Sequence, residues 1–79
     1  MAKKLVILGG GESGVGAAVL AKQKGYEVLV SDGGSLKEVY RTELDAAGIE
    51  WEQGAHSVAR ILEADEVMKS PGIPEKTNW

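Results

Sequence analysis

A chain of 79 residues makes one small domain. Nine Lys and Arg against twelve Asp and Glu leave a net charge of −3, so no basic stripe is available to pair with nucleic-acid or lipid phosphates. Cysteine and phenylalanine are both absent, which excludes disulfides, thiolate metal sites and cysteine nucleophiles and leaves an aliphatic core.

Leu5-Val6-Ile7-Leu8 is apolar on both faces and stops at Gly9-Gly10-Gly11, as a central strand of a parallel sheet does. The run is shorter than the about 7–15 apolar residues of a secretory signal or the ~20 of a bilayer span, so the expectation is a cytoplasmic protein without a membrane partner. Residues 14–24 place Val15, Ala18, Val19 and Lys22 at helical spacing. Lys22 and Lys24 suit the negative end of that helix, and Gly25 suits its exit. A second strand over 27–31 ends at Asp32-Gly33-Gly34. Ser35-Leu36-Lys37-Glu38 has the form of a capping box, with Ser35 as N-cap and Glu38 three residues on. Behind it Leu36, Val39, Tyr40, Leu44 and Ala47 make one helical face, ended by Gly48. Residues 49–53 alternate like a half-buried strand around Trp51, which reads as a packing residue. Val58, Ile61 and Leu62 form a short helical stripe with Ser57 as cap, and residues 66–69 form a fourth strand. Two prolines make residues 70–74 a loop.

Strands alternating with helices require right-handed crossovers, so the fold class is α/β with a parallel sheet of about four strands. No fifth element follows, and the fold reads as truncated at its C-terminal end.

Gly9-x-Gly11-x-x-Gly14 lies between the first strand and the first helix. In that setting the first glycine permits a tight turn, the second lets backbone approach a phosphate, and the third lets helix and strand pack closely. Free N–H groups and the helix dipole make an anion site there. The alternative is that the glycines serve only the turn and the packing. The Glu12 carboxylate must point to solvent if a phosphate is to bind, whereas Ser13 offers both hydroxyl and N–H. Asp32 follows Gly14 at a spacing that suits a ribose diol, a nucleobase N–H or a simple turn aspartate, and the residues leave these open. His56, the one histidine, has no Asp, Glu or Ser identifiably paired with it and reads as a loop or helix-cap residue. No metal-ligand spacing and no G-x-x-x-x-G-K-[ST] loop for ATP is present.

The stretch Ala64-Asp65-Glu66-Val67-Met68-Lys69-Ser70-Pro71-Gly72-Ile73-Pro74 changes the reading. With Gly54-Ala55-His56 before it and the opening Val6-Ile7-Leu8-Gly9-Gly10-Gly11-Glu12-Ser13-Gly14, it resembles the Mur ligases of peptidoglycan synthesis. Within them it is most similar to the N-terminal domain of the enzymes that add D-glutamate. The resemblance covers essentially the whole chain, and Ser70-Pro71-Gly72-Ile73 is its specific part. It implies a single Rossmann-like, three-layer domain over residues 1–79 with strand order 3-2-1-4, a fragment of a longer multidomain ligase. That domain would hold UDP-N-acetylmuramoyl-L-alanine. Gly9, Gly11, Glu12, Ser13 and Gly14 would cradle the diphosphate, Asp32 and Gly33 would address uracil and ribose, and Ser70, Pro71 and Gly72 would approach the nucleotide-sugar. Some relatives place a small or apolar residue where Glu12 lies, and Gly33-Gly34 replaces side chains that can contact uracil elsewhere in the family.

The resemblance further implies that ATP and Mg act in other domains, where the substrate carboxylate becomes an acyl phosphate that the amine of D-glutamate attacks. This domain alone would carry no catalytic residue and no cofactor. Its partners would be the remaining ligase domains, and its bare fourth strand would invite self-association through a sheet edge. The competing readings are an NAD(P)-binding domain of a dehydrogenase or regulator, a neighbouring Mur ligase, and a non-enzymatic module that uses the exposed edge.

Overall fold

The runs that are apolar on both faces become the central strands. In the computed structural model, which describes residues 2–69, the elements follow as β1 (Lys4–Leu8), α1 (Glu12–Gln23), β2 (Glu27–Asp32), α2 (Glu38–Ala46), β3 (Glu50–Gln53), α3 (Val58–Glu63) and β4 (Glu66–Lys69). The four strands form one sheet in the order β3-β2-β1-β4, and each pairing is parallel. Ile7 stands opposite Val30 and Met68, and Val30 opposite Trp51. The expected α/β class and strand order are those observed.

The core lies on one face of the sheet. Leu5, Ile7, Val28 and Val30 meet Val15, Ala18 and Ala21 of α1, with Leu36, Leu44 and Ile49 closing the side. Strand alternation turns Val6 and Leu29 to the other face, where a hollow of about 370 Å³ runs between them and Arg60 and Glu63. No residue of the glycine loop lines that hollow. α3 buries none of its residues there. No helix among the described residues is long and apolar enough to cross a membrane.

Three local expectations are corrected. The capping box at Ser35 does not form, because α2 starts at Glu38 with Lys37 at its N-cap and no side-chain cap. Leu36 stays outside the helix: its N–H donates to Gln53 Oε1 at 2.9 Å, and its side chain is buried at the glycine loop. A tertiary hydrogen bond and a buried leucine thus outweigh a local cap of about 1 kcal/mol. The stripe on α2 is narrower than expected, with Leu44 fully buried and Val39 61 % exposed. Ser57 does occupy the N-cap of α3, but its hydroxyl accepts no N–H from the helix and instead donates to Glu52 Oε1.

Candidate functional site

The carboxyl ends of β1, β2 and β3 are joined by a lattice of backbone hydrogen bonds centred on Asp32. Gly9 turns the chain with φ +104°, a conformation that favours glycine, and its N–H donates to the Ser31 carbonyl at 2.8 Å. Gly10 N–H donates to Asp32 Oδ2 and Gly34 N–H to Asp32 Oδ1, both at 2.8 Å. Gly54 N–H donates to the Asp32 carbonyl at 2.9 Å and to the Gly34 carbonyl at 2.8 Å. One aspartate therefore fixes the glycine loop against the turns that follow β2 and β3. Each of its carboxylate oxygens keeps a further lone pair.

α1 starts directly from this loop. Its N-cap is Gly11, which has no side chain to cap the first turn. The N–H groups of Glu12, Ser13 and Gly14 have no acceptor within the helix, and no acceptor from the described residues reaches them. Glu12 and Ser13 are exposed. A Cβ built on Gly11 would meet no atom within 4 Å, so nothing in the protein's packing demands a glycine there. Gly14 is buried with Val15 and Ala18 on the face of α1 toward the core. Packing does demand a glycine at a position the spacing motif leaves unassigned: a Cβ on Gly10 would stand 1.8 Å from Leu36 Cδ2. The expected contacts from Ser70, Pro71 and Gly72 lie outside the described residues.

His56 corrects the expectation that it lacks a partner. Its Nδ1 lies 2.5 Å from Ser31 Oγ, and the same hydroxyl donates to Glu52 Oε2 at 2.6 Å. Ser31 is fully buried, the one buried polar residue among those described. The parallel register sets it beside Glu52 on the neighbouring strand. Glu52 also accepts the Ser57 N–H at 2.7 Å and the Ser57 hydroxyl at 2.5 Å. Partial burial acts to raise the Glu52 carboxyl, but the hydrogen bonds from Ser31 and Ser57 outweigh it and hold the group below its ordinary 4.5. The trio is not a nucleophile triad. There the imidazole bridges serine and acid, whereas here a buried serine bridges acid and imidazole. The ring then packs over the turn after β2: a Cβ on Gly33 would lie 3.3 Å from His56 Nε2. Trp51 is a packing residue, partly buried against the core, with its indole N–H on Asp45 Oδ1 at 2.8 Å. Among the described residues no group of three His, Asp or Glu side chains is placed to hold a metal ion.

Residues 4–78 match the family model described as the MurD N-terminal domain. The chain belongs to the MurD N-terminal domain family. Its similarity to curated relatives is high. It is 57 % identical over 76 residues to the UDP-N-acetylmuramoylalanine--D-glutamate ligase of Christiangramia forsetii, covering 96 % of this chain and 17 % of that protein. The enzyme of the same name from Bacteroides fragilis is 60 % identical over 72 residues, covering 91 % of this chain and 16 % of that protein. The Cytophaga hutchinsonii enzyme is 58 % identical over 76 residues, with 96 % and 17 % covered. The chain thus spans about a sixth of the length of these MurD relatives. Among solved structures, the putidaredoxin reductase–putidaredoxin complex matches with a TM-score of 0.68 at 21 % identity, over 86 % of this chain and 23 % of that one. At that identity the likeness shows a shared Rossmann-like fold and nothing more.

Proposed function

We propose that this MurD N-terminal domain recognises the UDP portion of UDP-N-acetylmuramoyl-L-alanine for a ligase that adds D-glutamate in peptidoglycan synthesis. The observation that carries the reading is the first turn of α1, left without a cap by Gly11 and opening from a loop that Asp32 holds rigid. Such a turn presents several N–H donors and the positive end of a helix dipole to an anion. In this reading Gly9 and Gly11 shape the loop, Glu12, Ser13 and Gly14 offer backbone donors to the diphosphate, and the Glu12 carboxylate stays in solvent. Asp32 and Gly33 stand at the carboxyl end of β2, where open α/β sheets take their ligands, and they address the uridine. Ser70, Pro71 and Gly72 complete the nucleotide-sugar contacts. Residues 1–79 act as one substrate domain. ATP and Mg belong to the remaining domains of the ligase, which carry the acyl-phosphate chemistry, so the domain binds substrate and does not catalyse.

An amide-shift titration with UDP-N-acetylmuramoyl-L-alanine, UDP and NAD, each to millimolar concentration, tests this. A Kd near 1 mM is still about 4 kcal/mol and would register. The expected result is movement of Gly11, Glu12, Ser13, Gly14, Asp32 and Gly33 with both uridine ligands and not with NAD. Movement with NAD alone would replace the reading with that of a dinucleotide-binding domain.

A further inference from the structure

We infer that the Glu52–Ser31–His56 chain holds His56 in the tautomer that bears its proton on Nδ1, so that Nε2 stands beside Gly33 as a hydrogen-bond acceptor for the imide N–H of a uracil base. This deepens the proposed function and rests on a uridine nucleotide binding at the ends of β1 and β2. The proton count carries it. Ser31 has one hydroxyl proton and two short contacts, to Glu52 Oε2 at 2.6 Å and to His56 Nδ1 at 2.5 Å. The Glu52 carboxylate also takes the Ser57 N–H and hydroxyl, and an ionised carboxylate can only accept. The Ser31 proton therefore goes to Glu52. The Ser31 oxygen is left to accept, and His56 must donate to it from Nδ1. In a neutral ring Nε2 is then the lone-pair nitrogen.

Nε2 is in the right place to read a base. It has no hydrogen-bond partner among the described residues, and His56 as a residue is exposed. It abuts Gly33 closely enough that a side chain at that position would press on it. The Gly33 N–H is likewise without a partner among the described residues. An acceptor on His56 next to a donor on Gly33 complements the imide N–H and carbonyl edge of uracil. The same edge of cytosine presents a ring nitrogen acceptor and an amino donor, which meet this pair with like against like. His56 is thus a specificity residue and Ser31 its positioning residue.

The test has two readouts on the chain. Long-range nitrogen–proton correlation spectra of the neutral ring should show the proton on Nδ1 in the parent chain, and a shift toward Nε2 in Ser31→Ala. Titration with UDP and with CDP should show UDP favoured by about tenfold, with both nucleotides moving Gly11 to Gly14 through the shared diphosphate. That preference should collapse in His56→Ala, an exposed position whose change leaves the buried core untouched, and in Ser31→Ala. A proton found on Nε2 in the parent chain overturns the inference. So does an equal response to UDP and CDP that His56→Ala leaves unchanged, although the phosphate loop then stands. If neither nucleotide moves Gly11 to Gly14, the underlying uridine site fails and the base contact fails with it.

Discussion

Gly10 and Leu36 hold the glycine loop by contact rather than by backbone conformation. A methyl group at Gly10 would overlap Leu36 Cδ2, which is itself 4 % exposed and cannot swing freely to solvent. Gly10→Ala should destabilise the fold by about 1–3 kcal/mol through overpacking, and Leu36→Ala by about 2–5 kcal/mol through the cavity it leaves. The two share one space, so the double variant should lose clearly less than the sum when denaturant unfolding is compared across the cycle. Simple additivity would show that the overlap relaxes elsewhere. Glu52 gives a second prediction at this scale. Its folded-state carboxyl lies below its ordinary 4.5, so the unfolded chain takes up the proton first as pH falls. The stability it contributes is whole above the ordinary value and is lost as pH drops through the folded one. Unfolding free energies should decline across that interval in the parent chain and decline less in Glu52→Gln. Parallel declines would remove Glu52 as a cause.

Among the elements, β1, β2 and α1 hold the core, whereas α3 and β4 do little of that work. All four residues of β4 are exposed, and α3 leaves Val58 65 % and Leu62 78 % exposed. Leu62→Ser should therefore change stability by no more than about 0.5 kcal/mol, as for an ordinary surface position. Leu44→Ala on α2, where the side chain is fully buried, should cost about 2–5 kcal/mol. Native-state amide exchange should follow the same division, with α3 and β4 opening well before β1 and β2. Equal protection across the sheet would mean that the second face is better covered than its described residues indicate. Besides its parallel ladder with β1, β4 is tied at its start, where Lys4 N–H donates to Asp65 Oδ2 and Asp65 N–H to the Lys4 carbonyl, both at 2.8 Å.

For the molecule as a whole, the sheet ends on two edges among the described residues, β3 and β4. β4 adds Val67 and Met68, 46 % and 40 % exposed. An apolar edge of this kind templates pairing with another copy. Sedimentation of the chain should show a concentration-dependent dimer at roughly tens of micromolar, and Val67→Lys should return it to monomer. A monomer in both would take the edge out of consideration. The Arg60–Glu50 ion pair at 3.1 Å tethers α3 to β3, but both side chains are largely exposed and the pair adds little.

Strand positions, the approximate helix positions and parallel pairing were legible in the sequence, because they rest on local periodicity and on where glycine interrupts it; the strand order came with the family resemblance, since periodicity does not rank strands. So was the glycine loop with Asp32, since a motif confined to one strand–helix–strand unit needs no distant partner. What Asp32 does there was not legible. Its grip on Gly10 and Gly34 depends on how two turns approach each other. The same holds for Ser31, Glu52 and His56, which meet only through the β2–β3 register and the path of the chain after Gly54. Apolar spacing on α2 and α3 told which residues share a face. It could not tell that Val39, Val58 and Leu62 would go uncovered, because burial requires an opposing surface. Leu36 marks the boundary most clearly: local preference placed it inside a capped helix, and the tertiary structure took it out to close the core over Gly10.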